Sequence, residues 1–188
     1  GLVRVLLLIP LAVPTIVAAS TMRYIFGMAG YLNEVLYRLG LLTLPIDWTG
    51  SRWLALVTVA SADAWKVTPL VMLIFLAGLQ AIPRELYEAA RTDGANSWQQ
   101  FWRITLPLLR PALTLAFIIR GIDAFRIFAL PLALVGRHLP VLSTFTYVEY
   151  MEYGNQHTAA ASSTLLLLLI VLTVGAYLRL AGPEEVMR

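Results

Sequence analysis

Asp63 and Lys66 stand three residues apart, and Arg120, Asp123 and Arg126 repeat that interval. On a helix this spacing puts each set on one face, giving an acid–base pair and a base–acid–base stripe. The charges could neutralise one another and hold helices in register. They could also meet a polar ligand, because carboxylates and guanidinium groups bind vicinal hydroxyls, and Arg also suits phosphate or carboxylate. Both readings stay open from the residues alone, as do packing and ring stacking for Trp65 and Phe125. His138 and His157 are far apart and the chain has no cysteine. Disulfides, thiolate sites and cysteine nucleophiles are excluded, and no metal site is expected. No Ser/His/Asp spacing and no H-E-x-x-H suggests a hydrolase, so no catalytic residues and no enzyme activity on this chain are expected.

The elements that must position these charges are apolar helices. Of 188 residues, 59% are hydrophobic and 13% charged, about half the charged share of an average protein. The chain is expected to lie in a membrane. Its net charge of +3 argues little for nucleic acid, since membrane proteins gain basic residues from the positive-inside bias, and no nucleic-acid partner is expected. A spanning helix takes about 20 predominantly apolar residues. Four stretches qualify, at about 5–25, 54–79, 112–135 and 158–179. Asp63 and Lys66 fall in the second and Arg120, Asp123 and Arg126 in the third, where a mid-membrane charge costs roughly 2.5–3.5 kcal/mol. The first stretch could instead be a signal peptide, with Arg4 before an apolar core and Val17-Ala18-Ala19 as cleavage site. The chain begins at Gly1 without Met, which argues against that and for the later part of a longer protein. Residues 27–53 read as a loop with one short helix, and 136–157 as a second polar loop with Glu149 and Glu152. The tail AGPEEVMR is too short for a further domain.

Orientation follows from the basic residues. By alternation Arg4, Arg84, Arg91, Arg103, Arg110, Arg179 and Arg188 share one side, and Arg23, Arg38, Arg52 and Arg137 the other. The bias puts residues 80–111 in the cytoplasm, with Trp48, Trp53, Tyr147, Tyr150 and Tyr153 near the outer interface. That 80–111 segment is a polar island between apolar runs. Pro83 suits a first helical turn, helix formers follow, and Gly94 offers a stop where positive φ is cheap. A second helix can start at Ser97 with Gln100 completing a capping box and is limited by Pro107. The product is a helix–turn–helix with small residues, Ala89 and Ala90, on its surface. Physics alone favours an amphipathic segment resting on lipid headgroups.

The residue pattern points elsewhere. Glu88-Ala89-Ala90, then Gly94, then Ile104, Leu106 and Pro107 match all seven fixed positions of the EAA loop of ABC-importer permeases. The flanks AWKVTPLVMLIFLAGLQAIPRELYEAARTDGA and ITLPLLRPALTLAFIIRGIDAFRIF resemble the sugar branch, similar to permeases for maltose, other oligosaccharides and glycerol phosphate. The likeness runs from about Leu6 to Leu180. It implies an all-α membrane protein, a bundle of about four transmembrane helices forming the C-terminal part of a six-helix permease core, with a cytoplasmic helix–turn–helix coupling loop. The leading helix pair of that core is absent from the chain, so a fragment is expected.

The resemblance further implies an ATP-driven, binding-protein-dependent importer of sugars, in the plasma (inner) membrane of a bacterium or archaeon. Its partners would be a second permease subunit, a cytoplasmic ATPase dimer and an extracytoplasmic substrate-binding protein. No G-x-x-x-x-G-K-[ST] occurs in this chain, so ATP and Mg would belong to the partner and no cofactor to this chain. Leu86, Glu88, Ala89, Ala90, Asp93, Gly94, Ile104, Leu106 and Pro107 would couple to the ATPase. Asp63, Lys66 and Leu70, with Ile119, Ile122, Asp123 and Arg126, would line the substrate path. The family's pocket is mainly amide and aromatic there, so these charges suggest a different ligand. Glycerol phosphate, a polyol or an acidic sugar is the alternative cargo. A structural membrane protein, its charges serving as register pins, is the alternative of another class.

Overall fold

A computed structural model of the chain describes residues 2–137 and 139–181. Of residues 2–5, 180 and 181 it describes the backbone alone. Gly1, His138 and the tail 182–188 lie outside the described residues, and with them Arg188 and the side chain of Arg4, both counted in the charge bias.

All regular structure among the described residues is helical. The helices are α1 (Leu2–Ala12), α2 (Thr15–Ile25), α3 (Tyr31–Arg38), α4 (Arg52–Gln80), α5 (Arg84–Thr92), α6 (Ser97–Gln100), α7 (Leu106–Leu108), α8 (Arg110–Phe125), α9 (Ala129–Val135), α10 (Leu142–Met151) and α11 (Gln156–Ala181). A π-helical turn, Phe101–Thr105, joins α6 to α7. Among the described residues two helices, α4 and α11, are each long and apolar enough to cross a membrane, and the number rises to 4 if two bent pairs each count as one span.

The bends have identifiable causes. The apolar stretch expected as one span over about 5–25 is two helices meeting at 111°. Pro14 lacks an N–H and forces Val13 out of the helical region, so α1 ends there and α2 starts anew. The second bend, 59°, separates Ser97–Leu108 from Arg110–Phe125. Pro107 and Pro111 stand four apart, and each removes one rung of the helical ladder. The stretch expected as a third span over 112–135 is likewise divided, with residues 126–128 between α8 and α9.

The chain divides into two compact units, residues 1–69 with 125–168 and residues 70–124 with 169–188. In the first, α2, α4 and α9 pack through Ala19, Met22, Ala55, Val59 and Ala62 against Leu130, Leu134 and Val135. Lipid is as apolar as these side chains, so close van der Waals fit between small residues holds such helices together. The mixed segment 27–53 is fastened by buried Asn33. Its amide donates to the carbonyls of Ile46 (2.8 Å) and Met28 (3.0 Å), and its oxygen accepts from Trp48 Nε1 (3.0 Å). Residues 136–157, expected as a loop, contain the three-turn helix α10. Thr146 of α10 and Ser162 of α11 share a hydrogen bond of 2.7 Å, and Arg137 pairs with Glu152.

In the second unit, Gly78 of α4 lets α8 approach. A Cβ at this position would lie 2.7 Å from Ala112 Cβ and 2.9 Å from Leu109 Cδ1. Phe117 stacks on Tyr177 of α11 at 4.2 Å, and the Tyr177 hydroxyl donates to Thr114 (3.2 Å).

Candidate functional site

Two places concentrate the residues singled out above. The first is the segment from Arg84 to Leu108. Helix α5 ends in a Schellman arrangement: the Ala95 N–H donates to the Ala90 carbonyl (2.8 Å) and the Gly94 N–H to the Arg91 carbonyl (3.0 Å). Such closure requires positive φ at the residue past the cap, and Gly94 has φ +80°. The next helix is capped by Asn96 with Gln99, in bonds of 2.9 and 3.0 Å. This corrects the expected Ser97–Gln100 box by one residue. Both pairs satisfy the spacing, and Asn ranks with Ser as a cap.

No residue of α5 is buried. Leu86 and Ala89, three apart and thus on one face, are exposed, as are Glu88, Asp93 and Gly94, while Ala90 is half-buried. Ile104, Leu106 and Pro107 are half-buried beyond the turn. The two arms are tied by the Tyr87 hydroxyl and Thr105 Oγ1 at 2.9 Å. Trp98, Phe101 and Trp102 form an exposed aromatic cluster with ring centroids 5.5–6.1 Å apart.

The second place is a cavity of about 690 Å³ in the first unit, walled by Arg126 and Phe128 and by side chains of α10 and α11 including Tyr147, Tyr150 and Gln156. Phe128 and Tyr147 meet at 4.9 Å with planes inclined by 60°. Of the residues expected to line a substrate path, Arg126 alone belongs to this wall. Tyr147 and Tyr150, expected near the outer interface, also stand on this wall; the signal that could have placed them together was their interval of three, one face of a helix within a segment that composition marks as loop.

The remaining path residues divide. Arg120 pairs with Asp123 at 3.6 Å. Lys66 donates to the Val13 carbonyl at 2.7 Å, the helix end that Pro14 leaves open. A cation there suits the negative pole of α1. Asp63, Leu70, Ile119 and Ile122 are half-buried, and Trp65 is exposed. His157 is exposed; among the described residues no three His, Cys, Asp or Glu side chains group as a metal site.

These observations define an all-helical chain of membrane type, with one exposed helix–turn–helix between apolar segments. Residues 1–183 match the binding-protein-dependent transport system inner membrane components, and the chain belongs to that family. It is similar to the trehalose/maltose transport system permease protein MalF of Thermococcus litoralis, 46% identical over 137 residues that cover 72% of this chain and 46% of that protein. It is also similar to the sulfoquinovosyl glycerol transport system permease protein SmoG of Agrobacterium fabrum, 40% identical over 79% of this chain and 47% of that protein. The chain spans about half the length of these relatives. Among solved structures, the fold resembles that of a bacterial ABC transporter involved in import of the acidic polysaccharide alginate, with TM-score 0.79 and 19% identity over 100% of this chain and 66% of that one.

Proposed function

We propose that this chain is part of the permease subunit of an ATP-driven, binding-protein-dependent sugar importer of a bacterial or archaeal plasma membrane, its cargo a di- or oligosaccharide. The observation that carries this is the exposed α5–Gly94–α6 segment with all seven fixed EAA positions in place, on a chain of the inner-membrane family. In this reading the segment faces the cytoplasm and inserts into a groove on a separate ATPase. Leu86, Ala89, Ala90 and Gly94 make the contact, and Glu88 and Asp93 flank it with charge. Ile104, Leu106 and Pro107 carry the movement into α8. ATP and Mg stay on the ATPase dimer, a second permease subunit completes the pathway, and an extracytoplasmic binding protein delivers the sugar. The residues proposed to meet it are Asp63 and Leu70 on α4 and Ile119, Ile122, Asp123 and Arg126 at α8. Lys66 acts beside them by holding the end of α1.

The relatives carry different cargoes by name, so the same machinery serving glycerol phosphate, a polyol or an acidic sugar is the second reading, favoured by the basic residues of the third apolar stretch. A purely structural membrane protein is disfavoured because it gives no reason for an uncovered helix with Ala89 and Gly94 exposed.

The test is Gly94→Asp in the full-length subunit. A Cβ at Gly94 meets nothing within 4 Å, and Asp tolerates positive φ better than most residues, so the fold should survive. Transport should be abolished with membrane insertion intact. Wild-type transport in this variant would contradict the docking role.

A further inference from the structure

We propose that the cavity between Arg126 and α10–α11 binds the acid group and ring of an anionic sugar, an inference that rests on the sugar-importer reading above. The argument begins with charge. Among the described residues Arg126 is the only charged side chain on the cavity wall, and no carboxylate lines it. The other arginine of the stripe, Arg120, has Asp123; Arg126 has no hydrogen-bond or ion-pair partner among the described residues. In a membrane-embedded segment an unpaired charge is costly and usually faces a cavity or a partner. Arg126 is exposed on this wall, and a carboxylate, sulfonate or phosphate fits the guanidinium fork in two parallel hydrogen bonds.

The remaining wall separates groups that are committed from groups that are free. Ser143 donates to the Ile127 carbonyl, Thr146 to the Leu142 carbonyl at 2.8 Å, and Ser163 to the Ala159 carbonyl at 2.9 Å. Their protons serve the helices. The hydroxyls of Tyr147 and Tyr150 and the amide of Gln156 carry no such bond among the described residues, and all three side chains are exposed. Tyr147 and Phe128 present aromatic surface to the apolar face of a sugar ring, Tyr147 adding a polar tip. Gln156 offers two donors and an acceptor to hydroxyls. The volume lies within the range of small-molecule sites, about 300–1,000 Å³. A neutral disaccharide would satisfy the tyrosines and Gln156 and leave Arg126 unmatched.

The test uses the full-length subunit in detergent, free of its ATPase, and a set of hexuronate disaccharides, each compared with its neutral hexose counterpart by titration calorimetry. At least one acid should bind about tenfold more tightly than its counterpart, the magnitude of one charge-assisted contact. The preference should vanish in Arg126→Gln, persist in part in Arg126→Lys, and shrink as salt rises. Equal binding of acid and neutral forms across the set, or a preference that survives Arg126→Gln, would overturn the proposal. So would displacement of the acid by phosphatidylglycerol, which would make the cavity a lipid site. Binding is measured apart from transport: intact binding with no ATP-driven uptake by the assembled complex would count against the importer reading and leave this site standing.

Discussion

Lys66 and Arg126 occupy equivalent places in their patterns, each a base three residues after an acid in an apolar run. Their environments differ. Lys66 reaches 53 residues back to the carbonyl of Val13, where it satisfies the helix end that the break at Pro14 leaves open. Arg126 stands just past the end of α8, on the wall of a cavity. Lys66→Met keeps the length of the side chain and removes the donor, leaving that carbonyl unmatched. The expected loss of stability is about 1–3 kcal/mol, seen as a lower unfolding midpoint of the detergent-solubilised protein, with any acid-sugar preference at Arg126 unchanged. The sequence makes both bases legible as special, because a charge in an apolar run needs a reason. It does not distinguish their uses. Val13 is far from Lys66 along the chain, and only the break at Pro14 creates the acceptor.

At the scale of elements, the apolar runs were legible and the directions of their axes were not. The run over 5–25 has the length and composition of one span, yet Val13–Pro14 divides it at 111°; hydropathy carries no information about angle. Helix α10 was hidden for the opposite reason, since Glu149, Glu152 and three tyrosines dilute a segment whose helical repeat is only three turns long. The close contact of α4 with α8 was equally invisible, because Gly78 in an apolar run reads like any small residue. Its consequence is testable. In Gly78→Ala the new Cβ would meet Ala112 Cβ at 2.7 Å, and that atom moves only if its helix moves. Overpacking of this kind costs about 1–3 kcal/mol. The variant should unfold at lower denaturant than wild type, and pairing it with Ala112→Gly should recover much of the loss.

For the whole molecule, the exposed apolar side chains make sense in lipid or against a partner subunit. Leu165, Leu167, Leu168, Val171 and Leu172 of α11 are 50–66% exposed, far more apolar surface on one helix than a water-facing chain would leave uncovered. Helix α5 is a different case: short, charged and uncovered, with Leu86 and Ala89 outward. The coupling role proposed for it rests on a fixed pattern of seven positions in the sequence; the groove it would enter would belong to another chain. The most direct measurement places a single cysteine in this cysteine-free chain by Ala89→Cys, in the full-length subunit co-expressed with its neighbouring gene products. Cross-linking in membranes should yield a specific adduct with a cytoplasmic ATPase, and ATP should change its yield. A cysteine that forms no such adduct and reacts only with lipid-phase reagents would mean that α5 lies on headgroups, and would contradict the coupling role.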